Sequence, residues 1–64
     1  MTRELIVDGS EVLGYVATEQ LPDLPVRWAS WRPGDSAPIG THQDREQAVG
    51  FLRQLALATR PRLR

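Results

Sequence analysis

The chain has 64 residues, a mass of 7.2 kDa, 41% hydrophobic positions and a formal net charge of zero. A domain this small hides only about 60% of the surface its unfolded chain exposes, which leaves one shallow core and little wall for a catalytic cleft. The absence of Cys excludes disulfides and thiolate metal sites. The balanced charge argues against a free-standing polyanion binder, because phosphate neutralisation drives nucleic-acid affinity. What remains is an adaptor, an inhibitor or a small regulatory module.

Charge is unevenly placed. Residues 1–44 hold three Arg and seven acids, whereas residues 45–64 hold five Arg and one acid, Glu46. A basic C-terminal helix end suits the unpaired carbonyls of its last turn. The longest N-terminal aliphatic run, Leu5-Ile6-Val7, is too short for a signal-peptide core, and nothing approaches a membrane span. A cytoplasmic location and a single domain over residues 1–64 are therefore expected.

In chain order, residues 4–8 are aliphatic and β-branched and predict a strand. Asp8-Gly9 is a tight-turn signal between two apolar runs, and residues 11–17 form the return strand. Strict alternation puts Leu13, Tyr15 and Ala17 on one face and Val12, Gly14 and Val16 on the other. Pro22 and Pro25 make residues 18–25 a loop, with Leu21 and Leu24 expected to fold back onto the domain. Residues 26–32 predict a third strand, with Val26, Trp28 and Ser30 facing one way and Arg27, Ala29 and Trp31 the other. Pro33-Gly34-Asp35 is a turn, and residues 36–43 read as a loop with a short extended piece at 37–40.

The helix carries the clearest signal. Asp44 with Gln47 three residues later is a capping-box arrangement, and Thr41 with Asp44 offers an alternative start. Ala48, Phe51, Leu52, Leu55 and Ala56 recur at steps of three and four, the stripe of an amphipathic helix. Pro61 ends it by Arg60. The order β-β-β-α predicts an α+β fold, a three-stranded antiparallel sheet packed on one C-terminal helix, with the second sheet face solvated or used for binding.

No catalytic constellation is present. His42 is the only His and reads as a solvated loop residue, Ser10, Ser30 and Ser36 lack a nucleophile-elbow context, and no Gly-rich phosphate loop exists. No catalytic, metal or cofactor residue is expected, and the chain reads as a non-enzyme. Trp28 and Trp31 lie three apart on one strand, so they point to opposite faces. One belongs in the core, and the other, if on the open face, would anchor a partner.

Leu24-Pro25-Val26-Arg27-Trp28, Ala48-Val49-Gly50-Phe51-Leu52 and Arg60-Pro61, with Asp8 and Glu11 near the front, together resemble the MbtH-like family of small proteins that bind adenylation domains of nonribosomal peptide synthetases and support their folding and activity. Leu24-Pro25-Val26-Arg27-Trp28 matches the family's Leu-Pro-x-Gly-Trp, and Ala48-Val49-Gly50-Phe51-Leu52 falls in register with its Cys-Leu-x-Tyr-Ile. Arg60-Pro61 lands on the family's Arg-Pro, while Asp8 and Glu11 fall on its N-terminal Asn and Glu positions. The chain has Gly14 in place of the family's Ser, Val16-Ala17 in place of Trp-Pro, Arg27 in place of the Gly before the second Trp, and Ala56 in place of a helix Trp. The resemblance implies a three-stranded sheet with a C-terminal helix and a non-catalytic accessory role in secondary metabolism. It also implies a partner site around Gly14, Val16, Leu24, Pro25, Trp28 and Trp31, with Val16, Trp28 and the Leu24-Pro25 loop on the open sheet face. An adenylation domain is the expected partner. The alternatives are an interaction protein that kept the fold and lost the synthetase, and a sheet-type DNA-binding module. In the latter, Arg27 and Arg32 would read base edges, a role the acidic balance of residues 1–44 disfavours.

Overall fold

The computed structural model describes residues 3–59. Among the described residues, four antiparallel strands in the order β1-β2-β3-β4 form one sheet, and a single helix follows them. The strands are β1 Glu4–Asp8, β2 Glu11–Glu19, β3 Arg27–Trp31 and β4 Gly40–His42, and the helix α1 is Arg45–Thr59. The α+β architecture expected from the sequence is present, with a fourth, three-residue strand added at 40–42 rather than an extended piece at 37–40. The expected helix end at Arg60-Pro61 lies outside the described residues.

The β1–β2 hairpin carries the main departure from strict alternation. Ile6 pairs with Gly14, but Val7 pairs with Val12, so Leu13 is an additional residue in β2. A β-bulge of this kind turns the strand by one residue and reverses which face the side chains beyond it occupy. Leu13 therefore joins Ile6 and Val16 in the core beneath α1, with Ala48 and Leu52 of the helix completing the cluster. Val12, paired with the outward-facing Val7, moves to the opposite face and remains 43% exposed. The sequence-level assignment of Leu13 to the Tyr15 and Ala17 face, and of Val12 to the Val16 face, is thus corrected.

Gly14 sits directly after the bulge with φ 147. A Cβ at this position would overlap the backbone carbonyl oxygen of Trp31 and lie 3.1 Å from a Leu52 methyl. Only glycine lets β2 approach both β3 and the helix at this point.

Two Pro-led turns share one design. Arg32 accepts a hydrogen bond from Asp35 N–H at 3.1 Å across Pro33-Gly34, with Gly34 at φ 84. Leu21 accepts one from Leu24 N–H at 3.2 Å across Pro22-Asp23, with Asp23 at φ 64. Both fit a type II turn, which asks for a left-handed residue at its third position. Asp23 holds that conformation where a glycine serves in the other turn. The loop does not fold back over the domain: Leu21 and Leu24 remain 51% and 47% exposed.

The helix starts as its sequence specifies. Asp44 Oδ1 accepts the Gln47 N–H at 2.9 Å, and Gln47 Oε1 accepts the Gln43 N–H at 3.2 Å. This is a capping box with its return bond displaced one residue outward, to Gln43 instead of Asp44. Arg45 in the first turn donates from Nε to Glu4 Oε1 at 2.9 Å, and its Nη2 also contacts Glu4 Oε2, tying the helix to β1. That fork of charge-assisted bonds holds the Glu4 carboxyl below the ordinary glutamate range, against a smaller opposing effect of desolvation.

Three outcomes test this account. Gly14→Ala is expected to cost about 3 kcal/mol or more, since it combines an unfavourable φ with a clash against backbone that cannot move aside; urea unfolding monitored by Trp fluorescence measures it. Asp23→Gly is expected to leave stability unchanged or raise it, while Asp23→Val should lower it by about 1–2 kcal/mol. For Glu4, the lowered folded-state pKa means that the ion pair's contribution is complete above the ordinary carboxylate range and is lost as pH falls through it. Melting temperatures followed from neutral pH to about pH 3 should show a steeper acid decline in the natural chain than in Arg45→Gln. Equal declines would show the pair to be without effect.

Candidate functional site

The two faces of the sheet differ in what they bury. On the helix side, Val16 and Ser30 are fully buried opposite each other, and the Thr18–Trp28 and Trp28–His42 pairs continue the same face. Trp28 is half-buried and packs against the Ile6, Leu13, Val16, Ala48 and Leu52 cluster. His42 belongs to β4 and is likewise half-buried, not a solvated loop residue. Its Nε2 lies 3.0 Å from Ser30 Oγ, and its ring meets Phe51 at a centroid distance of 5.0 Å. The Ser30–His42 pair has the composition of a nucleophile and base. However, Ser30 has no exposed surface, so its hydroxyl cannot reach a substrate.

The opposite face has its own small cluster. Ala17 and Ala29 pair directly across β2 and β3, and the space their short side chains leave is filled by the Trp31 indole. Tyr15, which opposes Trp31, packs alongside, and the Arg3 guanidinium carbon lies 4.3 Å from the Trp31 ring centroid. A cation over an indole face is favourable when partly desolvated. Together these neighbours leave Trp31 only 6% exposed. Its Nε1 is buried without a hydrogen-bond partner among the described residues, a cost normally avoided by pairing.

Beyond Trp31, toward the hairpin, the open face is aliphatic. Leu5 opposes Tyr15 and Val7 opposes Val12, and Leu5, Val7 and Val12 are 51%, 51% and 43% exposed. This strip carries no charge. The charged residues of the face lie elsewhere: Arg3 covers Trp31, and Arg27 opposes Glu19 at the far end of β2 and β3. The carboxylates Glu4, Asp8 and Glu11 stand at register positions shared with the helix side.

The residues expected to form one partner site are therefore dispersed. Gly14 and Val16 are buried under α1, contrary to the open-face placement of Val16, because the helix covers the face that Val16 occupies. Trp28 lies on that covered face too. Trp31 is the Trp of the open face, but as a floor rather than a protruding anchor. Leu24 and Pro25 are exposed in the loop before β3, at the end of the sheet away from the aliphatic strip. Sequence reading missed Leu5, Val7 and Val12 as a surface. Their signal was present in the aliphatic β1, but the bulge that brings Val12 to Val7 left no mark beyond Gly14.

No family model matches this chain, and neither a curated protein nor a solved structure is significantly similar to it. Among the described residues, no group of His, Asp and Glu could hold a metal ion, and no helix is long and apolar enough to cross a membrane.

The packing makes a specific demand on Trp31. Trp31→Ala is expected to cost about 3 kcal/mol or more by emptying the space over Ala17 and Ala29. Trp31→Phe, which removes the unpaired indole N–H along with part of the ring, should cost far less, by about 2 kcal/mol. Equal losses in the two variants, measured by denaturant unfolding, would mean that the indole N–H is satisfied in solution.

Proposed function

We propose that this chain is a non-catalytic accessory module that works by docking a protein partner on the open face of its sheet. The observation that carries the reading is the uncharged strip of Leu5, Val7 and Val12 beside Tyr15, left uncovered although the helix seals the other face. Adjacent exposed aliphatics on a rigid sheet are costly in water and become favourable on burial by a partner. Trp31 and the paired alanines beneath it stiffen the surface, so little conformational freedom is lost on binding.

The partner class is the one implied by the MbtH-like resemblance, an adenylation domain of a nonribosomal peptide synthetase. Binding that domain's native state would raise its apparent stability by mass action, without any chemistry from this chain. The contacts differ from those the resemblance suggests, because Gly14, Val16 and Trp28 support the surface from behind instead of forming it. A nucleic-acid role is disfavoured by the same face, where one Arg is engaged with Trp31 and the other stands opposite Glu19.

The test is co-expression of the tagged chain with an adenylation domain from its own genome, followed by co-purification and amino-acid-dependent pyrophosphate exchange. Val7→Glu and Leu5→Glu, both at exposed positions, are expected to keep the fold and weaken binding by roughly thirtyfold or more, as for a central interface residue. Trp28→Ala should act instead through lost stability. Binding that survives both Glu variants would remove the open face from the site. Absence of binding together with heparin retention at moderate salt would replace the protein partner by nucleic acid.

A further inference from the structure

The two edges of the sheet are unlike. β4 closes one side with three residues, whereas β1 closes the other with five, Glu4–Asp8, held in the sheet through β2. The helix packs across β2, β3 and β4 and meets β1 at Ile6 of the core cluster and through the Arg45–Glu4 bonds. Among the described residues no strand pairs with the outer side of β1, so its alternate backbone N–H and C=O groups face outward as a template for another strand. Several devices that blunt such an edge are missing. β1 holds no Lys, Pro or Gly, and the bulge beside it places the additional residue in β2.

The side chains of this edge form a chemical palindrome. Glu4-Leu5-Ile6-Val7-Asp8 reads acid, aliphatic, Ile, aliphatic, acid from either end. A two-fold contact lays a strand against itself in the opposite direction, so the strand must complement itself in this way. We infer that β1 pairs antiparallel with β1 of a second copy about a two-fold axis at Ile6, giving one eight-stranded sheet. Leu5 of each copy then opposes Val7 of the other on the open face, and Ile6 opposes Ile6 at the axis. A slip of one residue would set Leu5 against Ile6, which belong to opposite faces, and a slip of two would leave part of the five-residue strand unpaired. At each end Glu4 meets Asp8 of the second copy, and two carboxylates alone would repel. Arg45 supplies the cation: it already holds Glu4 on the helix side, the side Asp8 also takes by alternation, and its side chain is still 47% exposed. The guanidinium has further N–H donors for the incoming carboxylate. A chain of 64 residues without Cys has a shallow core of its own and no disulfide to reinforce it, the circumstance in which association adds most. The inference does not rest on the partner proposed for the open face.

The experiment is sedimentation equilibrium of the full chain up to about 1 mM, a range that reaches weak, small interfaces. The mass is expected to rise with concentration from 7.2 kDa toward twice that value, while amide hydrogen exchange slows in β1 and not in β4. Val7→Lys, at an exposed edge position, should weaken the dimer about tenfold or more, because the two-fold axis repeats each lost pair. Arg45→Gln should weaken it by a smaller factor, by leaving Glu4 and Asp8 face to face without a cation. Val12→Lys, on the same aliphatic strip but one strand further in, should leave it unchanged. Far-UV circular dichroism at low concentration checks that each variant is folded. A mass that stays at 7.2 kDa throughout, or protection that builds at β4 instead of β1, would overturn the inference. So would a dimer lost equally in Val12→Lys and Val7→Lys, which would mean that the copies pack through their open faces.

Discussion

The close approach of β2 to the Trp31 carbonyl at Gly14 is the constraint on which the rest of this small fold depends. The point lies where the hairpin bulge, the neighbouring strand and the helix all meet. With no Cβ at Gly14, the sheet closes tightly enough for Leu52 to reach the strands, and the helix seals one face with Ala48 and Leu52 fully packed. A side chain there would push β3 away from β2 and lift the helix together. In so small a core no other contact is large enough to offset that loss.

The bulge beside it decides which surfaces the molecule offers. Leu13 is drawn inward to complete the core and Val12 is sent outward beside Val7. One additional residue in β2 therefore both fills the hydrophobic cluster and creates the aliphatic strip on the other face. The two Trp residues of β3 divide in the same way. Trp28 supports the core from under the helix, and Trp31 builds a second, thinner layer over two alanines, held by Tyr15 and Arg3. The second layer is incomplete, and its uncovered half is the surface proposed for a partner. At the far end, the capping bonds of α1 and the Ser30–His42 contact hold the polar residues in place.

Much of the architecture was legible in the sequence because it rests on local chemistry. Alternating aliphatics flanking Asp8-Gly9 predicted the hairpin, Pro33-Gly34 the second turn, and Asp44 with Gln47 and the Ala48, Phe51, Leu52, Leu55 and Ala56 stripe the helix. These signals act within a few residues, through turn geometry, capping bonds and helical periodicity. The opposite orientation of Trp28 and Trp31 was likewise fixed by their odd spacing on a strand. The short β4 was not legible, since Gly40-Thr41-His42 has no apolar pattern and pairs only because β3 offers a free edge and Ser30 a partner for His42.

The sequence by itself thus determined the element types, their order and the amphipathic helix, because neighbouring residues settle each of those. Only the tertiary structure decided which sheet face the helix covers, and with it the role of every candidate site residue. A bulge shifts alternation by one without changing the composition of the strand, so Leu13 and Val12 exchange faces with no local sign but Gly14. Gly14 and Val16 become support rather than surface for the same reason: burial is a property of what packs against a residue, and the helix that buries them begins some thirty residues later in the chain.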